Sequence, residues 1–268
     1  MSAIGDPRGG RVTLIGGGPG ADDLLTLRAV RALGSADVVL YDRLAPHALL
    51  HEFAPRAEHI DVGKTPGHHA LPQSGIEALM VEKALGGAHV VRLKGGDPYV
   101  LGRGGEEVLA CHRAGLPVEV VPGVTSAIAA PSAAGIPLTH RGVSTMFTVV
   151  SGHAPLDDDT LRHLAGLGAL GGTIVILMGV ANLPQITAGL ARHGLAADLP
   201  VAVVERGFQP GQRTTVSQLG GIVVAAHRAG AESPAVIVVG EVVRLAHDGD
   251  LSAQGLMDRA ARLTAMDA

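Results

Sequence analysis

Two ionisable side chains stand directly after apolar runs early in the chain. Asp42 follows the run Asp37–Tyr41, and Lys64 follows Val62 and Gly63. A carboxylate and an ammonium at adjacent strand ends form an acid/base pair that can take a proton from a substrate and return one. The plainer alternatives are a solvated Asp42–Arg43 pair and a surface lysine. The segment Lys94–Glu107 (KGGDPYVLGRGGEE) is denser. Its five glycines make a poor scaffold but let backbone approach a ligand closely. Asp97 can accept hydrogen bonds from a cationic or hydroxyl-bearing ligand, and Arg103 can fork onto a carboxylate. Glu106 and Glu107 fall in the first turn of the next helix, where capping explains them.

Two more glycine segments follow apolar runs. Gly16–Ala21 (GGGPGA) fits a strand–turn–helix context, with Asp42 about twenty residues further on, as in a dinucleotide fingerprint. Pro19 argues against that reading, because it removes a backbone donor from the turn. Asp22 and Asp23 argue against it too, since they would occupy the helix N-terminus where a phosphate belongs. At Pro122–Ala127, Thr125 or Ser126 either caps a helix or offers hydroxyl and amide groups to a ligand. Thr139–Gly142 is a small basic cluster, and His153 is a lone histidine with a structural reading by default. The 13 histidines show no HExxH or comparable spacing, so no metal is expected. No GxSxG elbow supports a serine nucleophile.

These loops need strands to hold them. Residues 11–16, 37–41, 89–93 and 117–121 read as buried strands, and 22–33, 72–85, 105–114 and 124–134 as helices. Further on, 148–151, 173–178, 201–204 and 235–239 read as strands, 160–167, 183–193 and 218–229 as helices, and 214–216 as an antiparallel strand. Such alternation predicts an α/β fold with mainly parallel or mixed sheets, which bind ligands outside the carboxyl ends of their strands. The 268 residues suit two domains. We expect an N-terminal α/β domain over 1–137, a Pro- and Gly-containing linker over 138–147, and a C-terminal α/β domain over 148–268 with a polar tail from His247.

Hydrophobic residues make up 47% of the chain and aromatics 2%, so the core is aliphatic and a flat ligand finds few rings to stack on. The net charge of −4 without a basic run speaks against nucleic acid. The single cysteine, Cys111, excludes an internal disulfide and reads as a buried thiol. Neither a secretory signal nor a membrane span is read, which points to the cytoplasm.

Taken in order, GGGPGADDLLTLRA, DVVLYDRL, VGKTPGHHALPQ, VVRLKGGDPYVLGRGGEE, VVPGVTSAIAAPSAAGIPLTHRG, ILMGVANLP and SPAVIVVGEVVRL resemble the tetrapyrrole (class III) S-adenosylmethionine-dependent methyltransferases. Within them they resemble the uroporphyrinogen-III C-methyltransferases. The likeness runs from Val12 to about Leu245. It implies two α/β domains with an active-site cleft between them, a homodimer, and a small-molecule tetrapyrrole substrate. It also implies methyl transfer from S-adenosylmethionine to carbons 2 and 7 of uroporphyrinogen III, giving precorrin-2 and S-adenosylhomocysteine for siroheme or cobalamin synthesis. By motif position, the donor site uses Pro19, Gly95, Gly96, Asp97, Val100, Thr125, Ser126, Met178 and Gly207. Asp42 matches the family's proton acceptor and Lys64 its proton donor. Arg43, Lys64, Arg103, His140 and Arg141 are candidates for the substrate's carboxylates. Glu205–Phe208 departs from the family's usual acid–asparagine sequence. The chain resembles the stand-alone form, without the dehydrogenase–chelatase domain of fused siroheme synthases. A methyltransferase for a later precorrin is the nearest rival, then diphthine synthase or a ribosomal-RNA methyltransferase, then a non-catalytic binding relative. The YDRL, VGK and KGGDP…GRGGEE segments favour the first reading, and the intact Asp42, Lys64 and Asp97 favour an enzyme.

Overall fold

The computed structural model describes residues 9–63 and 71–246; Lys64 and the tail from His247 lie outside them. The chain divides into two compact units, 1–125 and 126–268.

In the first unit, β1 (Arg11–Gly16) leads through a 3-10 turn at Asp22–Leu24 to α1 (Leu27–Gly34). Then come β2 (Val38–Tyr41), the short α2 (Leu50–Phe53), β3 (Glu58–Asp61), α3 (Gln73–Leu85), β4 (His89–Lys94), α4 (Gly104–Arg113) and β5 (Val118–Val121). The first helix starts later than the pattern predicts. The Thr26 side chain accepts from the Ala29 amide and caps it, which leaves Asp22 and Asp23 in the preceding turn. All four strand pairings are parallel, in the order β3-β2-β4-β1-β5. Every strand therefore ends at the same edge. Helices cover both faces of this sheet. Val12, Leu14, Val38, Leu40 and Val90 pack with Ile76, Met80 and Ala84 of α3 and Cys111 of α4. Ile15, Val39, Val91, Leu93 and Val121 pack on the other face with Ala29 and Leu33 of α1 and Leu50 of α2. Burial and the nearby Glu107 carboxylate push the Cys111 thiol up to about 11, which favours the neutral thiol of a buried core residue.

The second unit runs α5 (Ser126–Ala133), β6 (Phe147–Ser151), α6 (Asp158–Ala169), β7 (Thr173–Leu177), α7 (Leu183–Arg192), β8 (Pro200–Glu205), β9 (Arg213–Gln218), α8 (Ile222–Ala229) and β10 (Ala235–Val239). The division between the units thus falls ahead of α5 and not at 138–147. The physical reason is packing: Ala127 and Ala130 of α5 bury against Val175, Val204, Val236 and Val238 of the second sheet. Within the expected linker, His140 instead forms a backbone bridge with Ser144. The sheet order is β6-β7-β10-β8-β9, with β6 and β7 parallel and β10 antiparallel to both its neighbours. Helix α8 begins at Ile222 rather than 218, because β9 continues to Gln218 and Gly220-Gly221 separate the two. Among the described residues no helix is long and apolar enough to cross a membrane.

Candidate active site

Because the first sheet is wholly parallel, the loops after β1, β2, β4 and β5 meet at its carboxyl edge, and Gly63 joins them after β3. Their glycines serve close packing of backbone against backbone. A Cβ at Gly123 would lie 2.3 Å from the Gly96 carbonyl oxygen and 2.6 Å from Gly16 Cα. Gly18 and Gly96, both at positive φ, exchange backbone hydrogen bonds of 3.2 and 2.7 Å. A Cβ at Gly63 would lie 2.7 Å from the Arg43 amide nitrogen, so Gly63 itself packs against the backbone just after Asp42. The glycines thus let three loops close on one another, a role that glycine counting along the chain does not reveal. We expect Gly123→Ala to cost about 1–3 kcal/mol or more, since backbone cannot step aside as a side chain can. Gly105→Ala on α4, where a Cβ meets nothing within 4 Å, should be neutral or stabilise the helix by up to about 1 kcal/mol. Denaturant melts of the two variants test this; equal effects would refute it.

Asp97 staples the edge. Its Oδ1 accepts from the Tyr99 amide at 2.8 Å and its Oδ2 from the Gly123 amide at 3.0 Å, joining the loops after β4 and β5. A carboxylate so held keeps lone pairs for a further donor. Pro19 is buried in the turn after Gly18, and Val100 donates its amide to the Asp97 carbonyl oxygen. Leu101 and Arg103 both adopt left-handed backbone, at φ 56° and 58°. Arg103 is exposed and forks onto Glu106 at 2.9 and 2.7 Å.

Asp42 stands just past β2, and behind it lies a buried charge cluster. Arg92 Nη2 is 2.5 Å from Asp42 Oδ1, and Arg92 Nε is 3.0 Å from Glu107 Oε1. Lys94 Nζ is also 3.0 Å from Glu107 Oε1, and 4.0 Å from Asp42 Oδ2. Burial and the Arg92 guanidinium pull the Lys94 ammonium below its usual value, against the two carboxylates. Glu107 is fully buried and so is no mere cap; Glu106, its neighbour, stays at the surface with Arg103. Arg92, Lys94 and Glu107 were not among the candidates, although a signal existed. In β4, residues 90, 92 and 94 share a face. A parallel sheet is covered on both faces, so charges on that strand have to be paired inside.

The second unit has an edge of its own. The strands β6, β7 and β8 run in the same direction, so Gly152, Met178 and Arg206–Phe208 follow their carboxyl ends on one side. Met178, Arg206 and Phe208 are non-glycine residues at φ 58°, 49° and 60°. Strained backbone of this sort gathers at ligand sites. Met178 is exposed, while Gly207 is buried where an added Cβ would lie 2.7 Å from Ala130 Cα. Burial pushes the Glu205 carboxyl up, but Arg213, at 2.8 and 2.7 Å, and the Glu232 amide outweigh it, so its net shift is downward. Thr125 closes the first unit and Ser126 opens the second. His140 Nδ1 lies 2.8 Å from the Arg141 carbonyl oxygen, and Arg141 and Arg43 are exposed. Among the described residues no group of three or more His, Cys, Asp or Glu is placed to hold a metal ion.

A parallel sheet with glycine loops and a fixed carboxylate at its carboxyl edge, followed by a mixed sheet with a strained edge, defines a two-unit α/β protein whose strand ends are arranged as in small-molecule-binding α/β folds. Residues 11–223 match the family described as Tetrapyrrole (Corrin/Porphyrin) Methylases, and the chain belongs to that family. It is 48% identical, over 89% of its length and 94% of the relative's, to the S-adenosyl-L-methionine-dependent uroporphyrinogen III methyltransferase of Methanosarcina barkeri. It is 46% identical to the siroheme synthase of Gluconacetobacter diazotrophicus, covering 90% of this chain but only 51% of that one. The uroporphyrin-III C-methyl transferase of Thermus thermophilus, complexed with S-adenosylhomocysteine, superposes with a TM-score of 0.75 at 44% identity, covering 88% of this chain and all of that one.

Proposed function

We propose that this chain methylates uroporphyrinogen III at carbons 2 and 7, using S-adenosylmethionine and yielding precorrin-2 and S-adenosylhomocysteine for siroheme or cobalamin synthesis. The observation that carries the reading is the 48% identity to a relative with this named activity, spanning 94% of that relative. The edge chemistry agrees with it. Bound S-adenosylmethionine supplies a methyl group already activated on a sulfonium. A pyrrole carbon is an enamine-like nucleophile, so the protein has chiefly to hold the two in line. Attack leaves iminium character on the macrocycle, which must then lose a proton. Asp42, half-exposed at the strand edge, is the carboxylate we assign to accept it. Lys64 is assigned as proton donor by its position in the family motif.

For the methyl donor we assign Pro19, Gly95, Gly96, Asp97, Val100 and Thr125 in the first unit, and Ser126, Met178 and Gly207 in the second. The fixed Asp97 carboxylate suits a ligand rich in hydroxyl and amino groups, and the exposed Met178 suits an apolar one. Asp97→Ala should weaken S-adenosylhomocysteine binding at least tenfold, about 1.4 kcal/mol, by removing both an acceptor and the staple between two loops. Unchanged affinity by calorimetry would remove Asp97 from the donor site. The reading includes a cytoplasmic homodimer, whose molar mass light scattering would test; a monomer would contradict it.

The decisive experiment incubates the purified protein with S-adenosylmethionine and anaerobically generated uroporphyrinogen III, with mass and absorbance as readouts. A product bearing two new methyl groups is expected. No methylation of uroporphyrinogen III, with methylation of a later precorrin instead, would overturn the substrate assignment.

A further inference from the structure

The cluster behind Asp42 is costly to build. Arg92 is 1% exposed on the central strand of a sheet covered on both faces. Every guanidinium nitrogen is engaged: Nε on Glu107 Oε1, Nη2 on Asp42 Oδ1, and Nη1 on the carbonyl oxygens of Leu40 and Leu93 at 3.4 and 3.2 Å. Glu107 Oε1 takes Arg92, Lys94 and a 3.3 Å contact from Gln73, while its buried Oε2 has no partner among the described residues. Apolar side chains of similar volume would stabilise such a site as well or better. Of its four charged members, Arg92, Lys94 and Glu107 are buried, and the side chain of Asp42 reaches solvent at 31% exposure.

We propose that Arg92 is a positioning residue for Asp42, with Glu107 as its buried anchor. The inference rests on the assignment of Asp42 as proton acceptor. A guanidinium tied to two main-chain carbonyls and a buried carboxylate cannot follow Asp42 as it moves; Asp42 is held to it instead. Arg92 occupies Oδ1. Lys94 Nζ lies 4.0 Å from Oδ2, beyond hydrogen-bond reach, and no described residue hydrogen-bonds Oδ2, so Oδ2 is the oxygen left to take the substrate's proton. Lys94 sits between the two carboxylates and balances the second negative charge, hydrogen-bonded to Glu107 and beyond hydrogen-bond reach of Asp42.

The test compares Arg92→Gln, Arg92→Lys, Asp42→Asn and the double variant, reading kcat, tetrapyrrole KM and S-adenosylhomocysteine affinity. Arg92→Gln should lose kcat roughly a hundredfold while cofactor affinity stays within roughly twofold. Arg92→Lys keeps the charge without the fork and should recover part of the loss. Because Arg92 acts through Asp42, the double variant should be no slower than Asp42→Asn alone. Wild-type kcat in Arg92→Gln, or losses that multiply in the double variant, would overturn the proposal. Should Arg92→Gln fail to fold, wild-type kcat in Arg92→Lys overturns it equally. Asp42→Asn turning over at the wild-type rate would instead remove the assignment underneath, a result that needs no Arg92 variant.

Discussion

Asp42→Asn should bind S-adenosylhomocysteine as the wild type does and turn over roughly 10²–10⁴-fold more slowly, the usual contribution of a positioned general base. The substitution is nearly isosteric and leaves the amide oxygen able to accept from Arg92 Nη2. The glycine loops and the Asp97 staple, which involve other residues, stay as they are. What is lost is the basic oxygen at the strand edge. Calorimetry and a methylation time course check the two halves separately. A wild-type rate would remove Asp42 from the reaction, whereas loss of cofactor binding would show that it supports the loops and not the chemistry.

Glu107→Ala should destabilise the first unit by about 3–5 kcal/mol, the cost of leaving buried charge without its partner. Arg92 and Lys94 each place a nitrogen 3.0 Å from the same Glu107 oxygen, and both are almost wholly buried. The midpoint of thermal unfolding should fall by at least about 6 °C. Glu106→Ala, one residue away on the same helix, removes a solvent-exposed pair with Arg103 and should leave the midpoint close to that of the wild type. Similar melting of the two variants would mean that the buried cluster contributes no more than a surface ion pair. Replacing Arg92, Lys94 and Glu107 together by apolar residues should restore much of the stability while leaving Asp42 unheld and turnover slow. Recovery of both stability and rate would contradict the positioning role of Arg92.

Strand and helix identity was legible along the chain because it is set by local periodicity. The apolar runs at 11–16, 89–93 and 235–239 each lie within strands of nearly those bounds. The same local reading placed Asp42 and the loop from Lys94 after strands, hence at one edge of a parallel sheet. It also carried the family likeness, which resides in ordered short motifs. Which residues meet was decided only by the tertiary structure, because strand order is non-local. The order β3-β2-β4-β1-β5 sets β2 against β4, with Leu40 opposite Arg92, and so brings Asp42 within reach of an arginine fifty residues away. Helix α4 then lays Glu107 over that face, turning an apparent capping acid into the counter-charge of a buried arginine and lysine. In the second unit, placing β10 between β7 and β8 makes those two strands parallel, and this puts Met178 and Gly207 on one edge. Alternation and composition name the elements and the residues able to act. Burial without water to solvate a charge decides which of those residues must find one another.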